Sequence, residues 1–100
     1  MEETQNEMIK GFIARDAWTY DDYLQLVETL SEAGDTSDKL REMVGQIEGD
    51  ISEPKGDSAV KLGIALYMVC RFKKALEVLS AGTDNADRRY FQAQCEKHLA

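Results

Sequence analysis

Apolar residues recur along this chain with the period of an α-helix, at i, i+3, i+4 and i+7, and no stretch alternates as a half-buried strand does. Met8, Ile9, Phe12, Ile13 and Ala17 mark one face of a first helix, which residues 16–19 break. Thr19 with Asp22 three residues on has the form of a capping box, the shorter Asp standing for the usual Glu. A second helix follows, with Tyr23, Leu24, Val27 and Leu30 on one side, and ends at Gly34. Thr36 or Ser37 caps a third, whose Leu40, Met43, Val44, Ile47 and Ile51 keep the helical spacing. Gly49 weakens its end, and Ser52 to Gly56, which holds the single proline, is the one clear loop.

Asp57 or Ser58 opens a fourth helix that is apolar nearly all round, from Ala59, Val60 and Leu62 through Ile64 to Cys70. Such a helix lies at the centre of a core or under a partner. The fifth carries Phe72, Ala75, Leu76, Val78 and Leu79 and stops at Gly82. Asp84 is placed to cap a sixth, with Tyr90, Phe91, Ala93, Cys95 and Leu99 inward. Short helices with short connections pack as antiparallel neighbours. The expected fold is therefore all-α: about six short helices in antiparallel hairpins, one domain over residues 1–100. A chain of this length buries roughly two-thirds of its unfolded surface.

Within residues 57–82, DSAVKLGIALYMVCRFKKALEVLSAG, small residues stand where two helices must touch closely. Leu62-Gly63, Leu66-Tyr67, Phe72, Ala75-Leu76, Leu79 and Gly82 fall at the spacing of one tetratricopeptide repeat, and this stretch resembles that family. Gly63 and Ala75 match the helix crossing. Two positions depart from the pattern: Asp87 stands for the closing proline and Cys70 for the turn glycine. Lys10-Gly11 with Tyr20 to Leu24 is similar to a degenerate earlier copy, with the same glycine-to-aromatic separation, although Tyr23 replaces the small crossing residue. In the family, the first helix of a repeat lines a concave surface for a peptide or helix. The resemblance carries that face onto Val60, Ile64, Tyr67 and Met68, for which the alternative is plain core. Repeats that clamp chaperone carboxyl termini use Lys and Asn there, whereas Val60 and Ile64 favour an apolar ligand. The tail Arg89 to Cys95, with the size and acidity, also resembles the small tetratricopeptide-like chaperones of type III secretion.

Charge sharpens this picture. The net charge is −7, with thirteen acids and four bases in residues 1–50 (net −9) and six acids and eight bases in residues 51–100 (net +2). An acidic domain is repelled by phosphate backbones, so no nucleic-acid partner is expected. With 43% hydrophobic and 31% charged residues the balance is that of a globular domain. No apolar run approaches the ~20 residues that span a bilayer, and MEETQNE is unlike a targeting leader. The expectation is a cytoplasmic protein without membrane insertion.

Candidate chemistry is sparse. Cys70 and Cys95 lie in apolar helical patterns and read as buried free thiols. His98 is the only histidine, and no metal-ligand spacing is present, so no metal and no cofactor are expected. Asp21-Asp22 and Asp84 with Asp87 sit where helix starts attract acids. Cys95 and His98, at i and i+3, are the one pair that a cofactor-free enzyme would use. The sequence thus points to a protein-binding module, an adaptor or chaperone that covers an apolar, helical segment of a partner. Ile64, Tyr67 and Met68 would be its anchors, and the acidic first half would steer a basic partner. Self-association through the same face is the alternative, and no enzymatic activity is expected.

Overall fold

In the computed structural model, which describes residues 7, 10–32 and 37–100, the chain is all-α. Helix α1 is described over residues 10–14; α2 spans Tyr20–Glu32, α3 Ser37–Asp50, α4 Asp57–Met68, α5 Phe72–Leu79 and α6 Ala86–Leu99. Met8, Ile9, Gly34 and Thr36 lie outside the described residues. Among the described residues no helix is long and apolar enough to cross a membrane.

Helix α1 stops at residue 14, which leaves Ala17 exposed beyond its end and not on its apolar face. The last carbonyls of a helix lack intrahelical partners, and two buried side chains supply them here. Trp18 Nε1 donates to the Phe12 carbonyl at 2.8 Å, and Lys61 Nζ from α4 donates to that of Ile13. Burial pushes the Lys61 ammonium below its ordinary pKa, against the opposing pull of Asp16 and Asp50. The predicted capping box forms at α2. The Thr19 amide donates to Asp22 Oδ2 at 2.9 Å, and the Asp22 amide donates to Thr19 Oγ1 at 3.3 Å. The short Asp side chain is also held by Arg15.

Helix α4 is the axis of the fold. Every residue from Ala59 to Leu66 is buried, Lys61 and Gly63 included. It packs on α3, α5 and α6, meets α1 through Lys61 and meets α2 through Tyr67, whose ring lies 6.1 Å from Tyr23. An all-apolar helix leaves open whether neighbours or a partner cover it; five surrounding helices do.

Helices α4 and α5 form a hairpin tied at both ends. At the turn, the Arg71 amide donates to the Leu66 carbonyl and the Cys70 amide to that of Tyr67, each at 3.0 Å, which is the Schellman closure. Cys70 takes the left-handed position (φ 64°) that glycine fills more cheaply. At the open end, the Gly56 amide donates to Ala81 O at 3.0 Å and the Thr83 amide to Gly56 O at 3.2 Å, in an isolated bridge between Gly56 and Gly82. In between, a Cβ on Gly63 would overlap Leu79 Cγ and Cδ2, and one on Gly82 would lie 2.7 Å from Val60 Cγ2. Ala75 is fully buried. The small residues thus stand where the two helices approach most closely. Among the described residues, a methyl added at Gly11, the counterpart of Gly63 in the earlier copy, meets nothing within 4 Å, so no such close approach is seen there.

Two expected caps move by one residue. Helix α4 starts after Gly56 (φ 61°) without a side-chain cap. Ser58 Oγ donates instead to Lys55 O, and Asp57 accepts from Thr83 Oγ1 at 2.8 Å. Asn85, not Asp84, caps α6, because its extended backbone aims Oδ1 at the Arg88 amide, 2.8 Å away. Asp84 pairs with Arg88 and Arg89. Of the residues expected inward on α6, Phe91 and Cys95 are buried, while Tyr90, Ala93 and Leu99 are not. One turn separates the two buried positions, so a single narrow stripe of α6 meets the core.

Candidate functional site

The face carried over from the repeat resemblance divides in two. Val60 and Ile64 are core, 2% and 0% exposed, so they cannot serve as a free binding face in this fold. The reason is the central place of α4, which turns both residues into the interior. Tyr67 and Met68, in the last turn, are half-buried and reach the surface from that interior.

Around Tyr67 the structure gathers an aromatic cluster from four helices. Phe91 is its buried hub, with Tyr23 at 5.1 Å, Tyr90 at 5.2 Å, Tyr67 at 5.4 Å and Tyr20 at 6.3 Å between ring centroids. Most of these contacts are edge-to-face or tilted, the arrangement that ring quadrupoles favour. Tyr67 continues to Phe72 at 5.6 Å, on which His98 stacks at 4.3 Å. Burial pushes the phenols of Tyr23 and Tyr67 above their ordinary pKa, so both stay neutral in the physiological range.

Beside this cluster lies a groove of about 200 Å³ between α2, α3 and the end of α4, lined by Tyr23, Val27, Leu30, Ser31, Leu40 and Met68. It opens onto a solvent-facing stripe of α2. Tyr20, Leu24 and Val27 fall at i, i+4 and i+7 and are 36%, 45% and 37% exposed. Leu24 and Val27 therefore face water, whereas Leu26 and Leu30 bury. The signal for this was present in the sequence. The apolar arc of α2 runs from Leu26 through Tyr23 and Val27 to Leu24, wider than the stripe one packed face needs. The stripe is held outward at its first turn, where the Tyr20 amide donates to Asp87 Oδ1 of α6 at 2.8 Å and its ring meets Tyr90 edge-on at 4.8 Å.

A second cleft of about 250 Å³ is lined by Arg41, Val44, Gly45, Glu48, Val69 and Arg71. Glu48 already receives Arg71 (3.3 Å) and Lys74, and the Lys74 hydrogen bond holds its carboxyl below the ordinary range.

Three of the four paired acids are taken up by the fold. Asp22 caps α2, Asp87 binds the Tyr20 amide, and Asp84 holds two arginines. Cys95 is buried and its thiol is pushed up by burial, the reverse of what a nucleophilic thiolate requires. Cys70, expected to be buried, is exposed, because the turn projects it beyond the last helical residue of α4. Among the described residues no group of three or more His, Cys, Asp or Glu is placed to hold a metal ion. No family model matches the sequence, and comparisons with curated proteins and with solved structures find no match.

Proposed function

We propose that this domain is a protein–protein interaction module, built around a tetratricopeptide-like α4–α5 hairpin, that receives an apolar helical segment of a partner as an adaptor or chaperone in the cytoplasm. The observation that carries this reading is the exposed stripe of Tyr20, Leu24 and Val27 running into the groove at Tyr23, Leu40 and Met68. An amphipathic helix reads such a surface with anchors at i, i+3, i+4 and i+7. Met68 supplies an adaptable, polarizable wall, and the tyrosines supply apolar rings with polar tips. An interface of standard size takes about 800 Å² per partner, a modest part of the 6022 Å² this chain exposes. Self-association through the same stripe is the second reading, favoured by the same exposed residues.

Selection of a displayed library of helical peptides on the immobilised full-length chain tests the proposal. Enriched peptides should carry apolar anchors at helical spacing and should lose binding to the Leu24→Asp/Val27→Asp chain. That variant should keep the wild-type circular dichroism, because both side chains are partly exposed and neither belongs to the buried core. Absence of enrichment, or binding unchanged by the double substitution, would sink the reading. Sedimentation of the chain alone across concentrations separates self-association from a distinct partner.

A further inference from the structure

From the charges beside the groove we infer the chemistry of its occupant: an amphipathic helix whose apolar stripe is flanked, along one side, by Lys or Arg residues about two turns apart. This rests on the α2 stripe being the docking face. Helix α2, YDDYLQLVETLSE, contains no basic residue. Helical spacing puts Asp21, Gln25 and Glu28 in a row at i, i+4 and i+7, next to the apolar row of Tyr20, Leu24 and Val27. Asp21 and Glu28 are both exposed.

Two other acids of this region, Asp22 and Glu48, are satisfied internally. Asp22 takes Arg15 and the capping box, and Glu48 takes Arg71 and Lys74. Among the described residues, no basic side chain pairs with Asp21 or Glu28. Two carboxylates with no ion-pair partner among the described residues therefore edge an exposed apolar stripe, separated by seven residues, or about 10 Å along the helix axis. A helix laid on the stripe with cations at i and i+7 meets both. One with acids there is repelled, as like charges across an interface cost binding. The apolar anchors supply the burial, and the two acids set the partner's register and exclude acidic helices.

The test uses two fluorescein-labelled amphipathic peptides with one shared leucine stripe, flanked by Lys at i and i+7 in one and by Glu in the other. Each is titrated with the full chain by fluorescence anisotropy at about 0.05 M and about 0.5 M NaCl, where screening lengths differ about threefold. The Lys peptide should bind about tenfold more tightly at low salt, the difference expected when two exposed ion pairs are exchanged for two repulsions. High salt should shrink that ratio. The Asp21→Lys/Glu28→Lys chain should reverse the preference. Glu28→Lys alone, in the middle of the helix and clear of its start, should abolish most of it without touching the fold.

Equal affinities that neither salt nor charge reversal alters would overturn the inference while leaving the groove reading intact, provided Leu24→Asp/Val27→Asp abolishes both. Binding that survives the latter variant would overturn the groove reading itself, as would failure of both peptides to bind. Self-association of the chain that the charge-reversed variant loses would give the face to a second copy and overturn the basic-helix assignment.

Discussion

Replacing Gly63 by alanine sets two effects of known sign against each other. In an exposed helix interior, glycine costs about 1 kcal/mol relative to alanine. Gly45, within α3, is such a position: it is exposed, and an added methyl meets nothing within 4 Å. Gly45→Ala should stabilise the protein by up to about 1 kcal/mol. At Gly63 the same methyl overlaps the side chain of Leu79, which is fully buried and has no room to swing away. Overpacking of this kind costs about 1–3 kcal/mol. Netted against the propensity gain, Gly63→Ala should destabilise by up to about 2 kcal/mol, or lower the melting temperature by up to about 16 °C for a domain of this size. Leu79→Ala alone should cost about 2–5 kcal/mol. Combining the two should cost less than their sum by about 1–2 kcal/mol, since the new methyl fills part of the space the leucine leaves. Urea unfolding followed by circular dichroism and by the fluorescence of Trp18, which is buried against Phe12, measures all four chains. If Gly63→Ala stabilises like Gly45→Ala, or if the pair is additive, the close approach of α4 and α5 is not the constraint on that position.

Cys70→Gly should raise stability by about 0.5–1 kcal/mol, because relieving the left-handed turn residue of its Cβ outweighs the freedom the unfolded chain gains; unchanged or lowered melting would contradict the Schellman closure described. One thiol, Cys70, should react with Ellman's reagent in the native protein, and Cys95 only on unfolding; two fast thiols would refute that placement. Glu48 has a folded pKa held below its ordinary 4.5 by the Lys74 hydrogen bond. Its contribution is present above that value and is lost as pH falls from about 4.5 through the lowered one. Glu48→Gln should therefore flatten the acid limb of a melting-temperature profile and change neutral stability by less than about 1 kcal/mol; profiles that stay parallel from about pH 7 to about pH 3 would refute the pairing.

Local chemistry was legible in the sequence wherever one residue's neighbours along the chain decide the outcome. The Thr19–Asp22 box, the loop before α4 and the small residues Gly63, Ala75 and Gly82 are of this kind. What was not legible depends on how many helices gather round a given one. The repeat resemblance puts Val60 and Ile64 on a binding face, but neighbouring helices enclose the middle of α4, so they are core. Leu24 and Val27 have the spacing of core residues, yet no described helix covers their side of α2. The candidate site accordingly lies not in the middle of α4 but at its last turn, where Met68 meets the groove, and on α2. Asn85 displaced Asp84 as a cap because capping turns on a backbone angle that composition does not specify.

The enclosure of α4 also has a consequence for the order in which the chain is made. Residues 10–50 leave the ribosome before the helix against which they pack exists. For that interval the apolar sides of α1, α2 and α3 have only one another and water, which is the circumstance in which nascent chains associate wrongly. The excess of negative charge sits in this early half, at −9 against +2 for the rest, and mutual repulsion keeps such segments apart. Once α4, α5 and α6 follow, consecutive in the chain and packed on one another, the waiting half gains its core. The uneven charge of the sequence thus acts on the nascent chain before the fold has closed.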